Sequence, residues 1–162
     1  MKKIGVISDT HLRSGAPLPA RAAAAFEGVD MIIHAGDLTS ESVLDELDVI
    51  APVKAVCGNC DFDPDMDRTP PSRIIKVEKV RIGVVHVLSR SSRDFPRRAA
   101  ELFPSAACIV FGHTHKPYNN WSGRQLLFNP GSATQRRSHP FTSVGILAVH
   151  GDEVSGDIVR ID

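Results

Sequence analysis

The sequence predicts an α/β fold built from two different parts. In its first third, short apolar runs alternate with segments of helical spacing, which favours parallel strands covered by helices. Later, paired strand-like runs separated by short polar turns favour antiparallel hairpins. The chain has 162 residues and is 42% hydrophobic, so we expect one domain, residues 1–162, with a single core.

The first part contains three apolar runs that we predict to be buried strands, at residues 4–8, 31–33 and 53–56. An alanine-rich segment at residues 20–26 follows two prolines and predicts the first connecting helix. Thr39 or Ser40 can cap a second helix. The apolar positions of that helix keep helical spacing at Val43, Leu44, Leu47 and Ile50.

The second part begins after a proline- and aspartate-rich stretch at residues 62–72, which we predict to be an exposed loop. Residues 73–78 and 80–85 then predict a hairpin, residues 93–102 a helix and residues 106–110 a buried strand. Two more hairpins are predicted, at 118–121 with 125–128 and at 143–149 with 154–161. This part should be mainly antiparallel, and the two parts need not share one sheet.

Polar residues of one chemical type follow five of the predicted strands. Since strand ends on one rim of an α/β sheet form the usual ligand site of such folds, we expect these side chains to converge. Two carboxylates, one amide and four imidazoles suit two divalent ions such as Mn, Fe, Co, Ni or Zn, and suit Mg less well. If seven side chains serve two ions, one carboxylate must bridge them, and Asp37 stands alone on its strand end. The residues are Asp9, His11, Asp37, Asn59, His86, His113 and His115.

These residues lie in short motifs whose order resembles that of the calcineurin-like metallophosphoesterases, in particular the small prokaryotic phosphodiesterase branch. The resemblance implies a four-layer α/β/β/α sandwich, with two mixed β-sheets flanked by helices. It extends from residue 4 to residue 132. The motifs are Asp9-x-His11, Gly36-Asp37, Gly58-Asn59-Cys60-Asp61, the strand-terminal His86, Gly112-His113-x-His115 and Asn129-Pro130-Gly131-Ser132.

The resemblance also implies a dinuclear site and its ligand assignment. Asp37 would bridge two ions, manganese being our first choice and nickel, iron, cobalt, zinc or magnesium the alternatives. A hydroxide between the ions would attack a phosphoester, with Asp37, Asn59 and Asp61 in catalytic roles. The first ion would be held by Asp9, His11 and His115, and the second by Asn59, His86 and His113.

The sequence departs from the family pattern at three positions. Family phosphomonoesterases commonly carry His after the motif Asn as a proton donor, and here that residue is Cys60. A thiol is a weaker acid than an imidazolium, so we favour a small phosphodiester or activated aryl ester as substrate. Leu12 and Val87 replace two family glycines, which affects the backbone near substrate but removes no ligand. Asp61 can assist by hydrogen bonding or act only as a loop cap.

Two other functions stay open at this stage. One is a phosphomonoesterase, which Cys60 disfavours. The other is a protein-interaction scaffold, because a eukaryotic relative with these motifs serves mainly in an endosomal sorting coat. All seven ligand positions hold competent residues here, which favours an enzyme.

Composition limits the choice of partners and location. Formal net charge is zero, so we expect no nucleic-acid surface, and no segment resembles a signal peptide or membrane span. Three cysteines imply no disulfide framework, and a cytoplasmic location is the default. A homo-oligomer is left open.

Several further residues have more than one interpretation. Cys57 and Cys60 form a Cys-x-x-Cys that could be a redox pair, although the aspartates after it oppose a thiolate. His34 fits a hydrogen-bonded interior histidine better than a ligand. The aspartates of residues 61–67 resemble a calcium loop only loosely, since the central Gly and terminal Glu are missing. Loop arginines that could contact phosphate or solvent are Arg13, Arg136 and Arg137.

Overall fold

The computed structural model describes residues 1–62, 65 and 67–162. Its first β-sheet has the strand order β10-β9-β1-β2-β3. The strands β1, β2 and β3 pair in parallel, and β9 runs antiparallel to both β1 and β10. The strands are β1 (Lys2–Ile7), β2 (Met31–His34), β3 (Val53–Ala55), β9 (Ser143–His150) and β10 (Glu153–Arg160), and the helices connecting the first three are α1 (Ala20–Ala25) and α2 (Ser42–Ile50).

The second sheet has the order β4-β5-β6-β8-β7. Its hairpins β4–β5 and β7–β8 are antiparallel, but β5 with β6 and β6 with β8 are parallel. A 3₁₀ turn at Ser92–Asp94 leads into helix α3 (Phe95–Leu102), which makes the crossover from β5 to β6. The strands are β4 (Ser72–Val77), β5 (Val80–Val85), β6 (Cys108–Val110), β7 (Tyr118–Ser122) and β8 (Gln125–Asn129).

Three apolar clusters show the four layers predicted from the resemblance. The cluster between the sheets contains Ile4 and Val6 from β1 against Ile82 and Val110 from the second sheet. A second cluster packs α1 and α2 on the outer face of the first sheet, and a third packs α3 on the outer face of the second. The two-sheet α/β/β/α prediction is therefore confirmed.

Most pairings in the second part of the chain are antiparallel, as predicted. The prediction missed that α3 returns the chain so that β6 lies parallel to both β5 and β8. The closing hairpin leaves that sheet altogether and pairs β9 with β1. Parallel crossovers and long-range pairing depend on packing between distant segments, which local patterns do not encode.

Some element ends also differ from the predictions. Helix α2 begins at Ser42, and its N-cap position is Glu41 without a side-chain cap, so neither Thr39 nor Ser40 caps it. Ser40 instead accepts the Ser42 N–H bond at 3.3 Å. Of the predicted acidic loop and its calcium alternative, Asp63, Pro64 and Met66 lie outside the described residues. Within the described part of the chain, no helix has the length and apolar character needed to span a membrane.

Candidate metal centre

The predicted ligands follow the C-terminal ends of β1, β2, β3, β5 and β6. These strands belong to two sheets, so the site lies where the rims of both sheets meet. The sequence had suggested a site on the rim of a single sheet. Backbone bonds join neighbouring loops on each side of this junction: Asp9 N–H donates to Gly36 O at 3.0 Å after the first sheet, and Gly112 N–H donates to His86 O at 3.0 Å after the second.

Five of the seven predicted ligands have a left-handed backbone. Positive φ is uncommon outside glycine and costs about 1 kcal/mol or more, so it persists only where the surroundings enforce it. Such strain at the ends of β1, β2 and β6 indicates loops shaped for a purpose other than folding. The φ angles are 53° at Asp9, 44° at His11, 56° at Asp37, 71° at His113 and 58° at His115.

Asp9 lies at the centre of the cluster. Its Oδ1 is 3.3 Å from His115 Nε2 and 3.8 Å from both His11 Nε2 and His86 Nε2. Its Oδ2 accepts bonds from the Ser8 hydroxyl at 2.7 Å and the His113 N–H at 3.0 Å. One carboxylate oxygen therefore faces the imidazoles while the other is fixed by the protein.

Asp37 faces the same imidazoles from the end of β2. Its Oδ2 is 3.2 Å from His86 Nε2 and 3.5 Å from His11 Nε2. Its Oδ1 accepts the Cys60 N–H bond at 2.8 Å. Asp37 thus stands between an imidazole predicted for the first ion and one predicted for the second, as a bridging ligand must.

Asn59 and His113 form the outer part of the cluster. Asn59 Oδ1 lies 3.0 Å from His113 Nδ1, and the ring of His113 stands edge-on to that of His86, with 5.5 Å between centroids. The structure therefore brings all seven predicted ligands into one contiguous group.

Four buried ligand atoms in this group have no hydrogen-bond partner among the described residues. Leaving a buried polar atom unpaired costs about 1–3 kcal/mol, so such atoms indicate a missing binding partner. Carboxylate oxygen and imidazole nitrogen are ligands that borderline divalent cations accept. The residues present therefore fit a divalent metal. The atoms are Asp9 Oδ1, His11 Nε2, His86 Nε2 and His115 Nε2.

The two carboxyl groups are held ionised. Burial alone would raise the pKa of Asp9, but the nearby imidazoles of His11 and His115 outweigh it and keep that pKa far below its usual value. At Asp37, burial likewise opposes ionisation, and the nearby imidazole of His86 and the bond from the Cys60 N–H lower the pKa. The centre therefore presents two negative charges to a cation.

Backbone carbonyl groups orient two of the imidazoles. His86 Nδ1–H donates to Ala35 O at 2.7 Å, and His115 Nδ1–H donates to Gln135 O at 2.6 Å. Because a carbonyl can only accept, Nδ1 of each ring carries a proton, and Nε2 of each ring faces the carboxylates. No sequence signal identified these carbonyl partners.

Asp61 holds the loops that carry the ligands. Its Oδ2 accepts the N–H bonds of Asp37 at 2.9 Å and Gly58 at 2.7 Å, and its Oδ1 accepts that of Thr39 at 2.8 Å. These three bonds match the loop-cap interpretation of Asp61, and its catalytic role stays a prediction.

His34 is an interior histidine, as predicted. It is fully buried, its Nδ1 accepts the Gly36 N–H bond at 3.1 Å, and its Nε2–H therefore faces Thr10 Oγ1 at 3.1 Å. Burial lowers its pKa to about 3. This neutral ring links the loop of Asp9 to the loop of Asp37.

The Asn-Pro-Gly-Ser motif supports the centre without facing it. Asn129 Nδ2 donates to Gly112 O at 2.9 Å and to Thr114 Oγ1 at 3.1 Å. Ser132 Oγ donates to Asp9 O at 2.8 Å. The motif was recognised in the sequence, but its positioning role became visible only in the fold.

The two cysteines and the three loop arginines singled out in the sequence have different surroundings in the structure. Cys57 and Cys60 are unpaired half-buried thiols, and burial followed by nearby carboxylates raises the pKa of each, which opposes a redox thiolate. Burial is the main cause that lowers the pKa of His113, and the nearby charge of Arg137 acts in the same direction. Arg136 donates to Pro140 O at 3.1 Å, and Arg13 is exposed.

Comparison with known proteins agrees with this centre. A family model described as the calcineurin-like phosphoesterase superfamily domain matches residues 1–152. A probable metallophosphoesterase of Methanothermobacter thermautotrophicus is 38% identical over 165 residues, covering 97% of this chain and 91% of that protein.

Two solved structures share the fold at lower identity. Wild-type Vps29 from Entamoeba histolytica, in complex with zinc, has a TM-score of 0.77 at 20% identity and covers 99% of both chains. A structure described as a novel archaeal phosphodiesterase has a TM-score of 0.75 at 23% identity, over 97% of this chain and 99% of that one. From the family model and the methanogen relative together, this chain belongs to the calcineurin-like phosphoesterase superfamily.

Proposed function

We propose that the protein is a metal-dependent phosphodiesterase with a dinuclear centre. The observation that carries the proposal is the set of four unpartnered buried ligand atoms on loops from both sheets. Two divalent cations, manganese by preference, would lower the pKa of a shared water and neutralise the phosphoryl oxygens. The reaction adds water across one P–O ester bond and releases a monoester and an alcohol.

The protein residues supply binding and orientation. Asp9, His11 and His115 would hold one cation, and Asn59, His86 and His113 the other, with Asp37 shared between them. The Ala35 and Gln135 carbonyl groups keep the Nε2 atoms of His86 and His115 free to ligate. Asp61 acts through backbone bonds, so we propose it as a positioning residue.

A diester substrate is favoured over a monoester by Cys60. Its sulfur lies within 4.8 Å of ligand atoms of His11 and Asp37, where family monoesterases place an imidazole. A thiol protonates an alkoxide leaving group less effectively. The phosphodiesterase described for the archaeal neighbour supports the same choice.

We also propose that residues 1–162 act as one domain in the cytoplasm. The core between the sheets includes residues from both parts of the chain, and the thiols Cys57 and Cys60 are unpaired, as a reducing compartment would keep them.

The function is tested by hydrolysis of bis-p-nitrophenyl phosphate by metal-stripped protein supplied with Mn²⁺, Ni²⁺ or Mg²⁺. We expect turnover with at least one ion, and a loss of at least about 10²-fold in Asp37→Asn because a bridging charge is removed. Asp152→Asn, on the exposed β9–β10 turn, is the matched control and should keep the wild-type rate. Absence of turnover with every ion would favour the scaffold alternative, and near-normal turnover by Asp37→Asn would exclude the proposed centre.

A further inference from the structure

A cavity of about 400 Å³ opens beside the metal centre and is not part of it. One of its lining residues is Thr114, which lies in the chain between the ligands His113 and His115. Another is Arg90, on the loop that continues from the ligand His86. The cavity therefore shares its wall with two of the loops that carry the centre.

The charged residues of the cavity have one sign. Arg90 and Lys116 line it, and no acidic side chain is among its described lining residues. Neither cation forms an ion pair or a side-chain hydrogen bond within the described part of the chain, whereas Arg68 and Arg97 are paired with carboxylates. Unpaired cations at the edge of a cavity favour an anionic ligand.

Part of the cavity wall is formed by packed aromatic side chains. Phe95, only 3% exposed, packs edge-on against Tyr118 with 5.3 Å between ring centroids, and against Phe111 at 4.7 Å. Tyr118 also lines the cavity and is only partly buried. Because Tyr118 is held by its neighbours, it offers a preformed surface for a planar ring.

We propose that this cavity binds one ester arm of the substrate, and that the arm is nucleotide-like, carrying both a planar ring and a second phosphate. The inference rests on the proposed phosphodiesterase function. The ring packs on Tyr118 and Pro117, and the phosphate lies between Arg90 and Lys116. A cavity of this size lies in the range of small-molecule sites, and the hydroxyl group of Ser92 adds a polar contact.

The test compares adenylyl-(3′,5′)-adenosine with and without a terminal 5′-phosphate, in the manganese-loaded protein. Charge-assisted hydrogen bonds favour the phosphorylated dinucleotide, and we expect its kcat/KM to be about tenfold higher or more. In Arg90→Gln and Lys116→Gln this ratio should fall toward one. Arg124→Gln, on the exposed β7–β8 turn, is the matched control and should keep the wild-type ratio.

A second readout does not depend on turnover. Calorimetric titration of the metal-free protein should show tighter binding of the phosphorylated dinucleotide than of the unphosphorylated one, with the difference reduced in Arg90→Gln. If the protein hydrolyses bis-p-nitrophenyl phosphate but neither cleaves nor binds the phosphorylated dinucleotide better than the unphosphorylated one, the cavity assignment is overturned. The proposed phosphodiesterase function is then unaffected. A binding preference without hydrolysis of any diester would support the cavity and overturn the phosphodiesterase.

Discussion

In the proposed metal centre, single residues would decide which cation is bound and which ester is cleaved. Asp9 and Asp37 each turn one carboxylate oxygen toward the imidazoles and bond the other to the backbone or to Ser8. These candidate ligands could be proposed from the sequence because an imidazole or carboxylate just after a buried strand has few structural roles. Their hydrogen-bond partners, such as the Gln135 carbonyl, could not be predicted, because any residue type can supply a backbone carbonyl.

Replacing Cys60 tests the substrate preference at the scale of one residue. Cys60→His restores an imidazole beside Asp37, and we expect the ratio of p-nitrophenyl phosphate to bis-p-nitrophenyl phosphate hydrolysis to rise about tenfold or more. Cys57→Ser, three residues earlier and also half-buried, is the control for altering a thiol in this loop. An unchanged ratio in Cys60→His would contradict the proton-donor argument.

His34 predicts a pH dependence of stability. Its pKa is about 3 in the folded chain and ordinarily about 6.5, so below pH 6.5 the unfolded chain binds a proton that the folded chain does not. Stability from this group is complete above pH 6.5 and falls by up to about 1.4 kcal/mol per pH unit as the pH drops toward 3. The free energy of unfolding of the metal-free protein, measured by urea denaturation at several pH values from 7.5 to 5, should fall as the pH is lowered.

The comparison uses His34→Gln, which cannot bind that proton and should lose this part of the slope. The control is His150→Gln, at the exposed end of β9, which should follow the wild-type slope. Parallel pH dependences in wild type and His34→Gln would contradict the assignment of a neutral buried ring.

At the scale of elements, the strand ends and the loops after them position the chemistry. The order of strands and helices in the first part was predictable because each element has strong local periodicity. The N-cap of α2 was not predictable. Thr39 donates a hydrogen bond from its N–H to Asp61 and one from its hydroxyl to Leu12 O, and it does not cap the helix. Site requirements overrode local helix signals at that point.

Gly112 tests the close packing of these loops. A Cβ at this position would overlap the Ser8 hydroxyl and approach Asp9 Oδ2 to 2.7 Å, so Gly112→Ala should displace the Asp9 carboxylate. We expect manganese affinity, measured by calorimetry, to fall about 10–100-fold, as for other disruptions of groups that support a ligand.

The control for this change is Gly123→Ala in the β7–β8 turn, where positive φ adds strain. Apart from its two chain neighbours, no described residue has an atom within 4 Å of the new Cβ. This variant should lose some stability and keep its manganese affinity. Equal manganese affinities in the two variants would show that a Cβ at position 112 does not disturb the Asp9 carboxylate, and would contradict this argument.

At the scale of the whole molecule, the centre exists because two sheets pack face to face. The order of motifs was sufficient to predict this sandwich through family resemblance. The local sequence pattern alone was not sufficient to predict it. The pairing of β9 with β1 joins residues more than a hundred positions apart and depends on burial between the sheets. The same packing brings His86 and His115, from the second sheet, against Asp9, from the first.

The most direct test of this account is the anomalous diffraction of manganese in crystals of the protein grown with MnCl₂. We predict two manganese peaks about 3.5–4 Å apart, with Asp37 between them, Asp9, His11 and His115 around one, and Asn59, His86 and His113 around the other. Peaks away from these side chains, or no peak among them at saturating manganese, would contradict it.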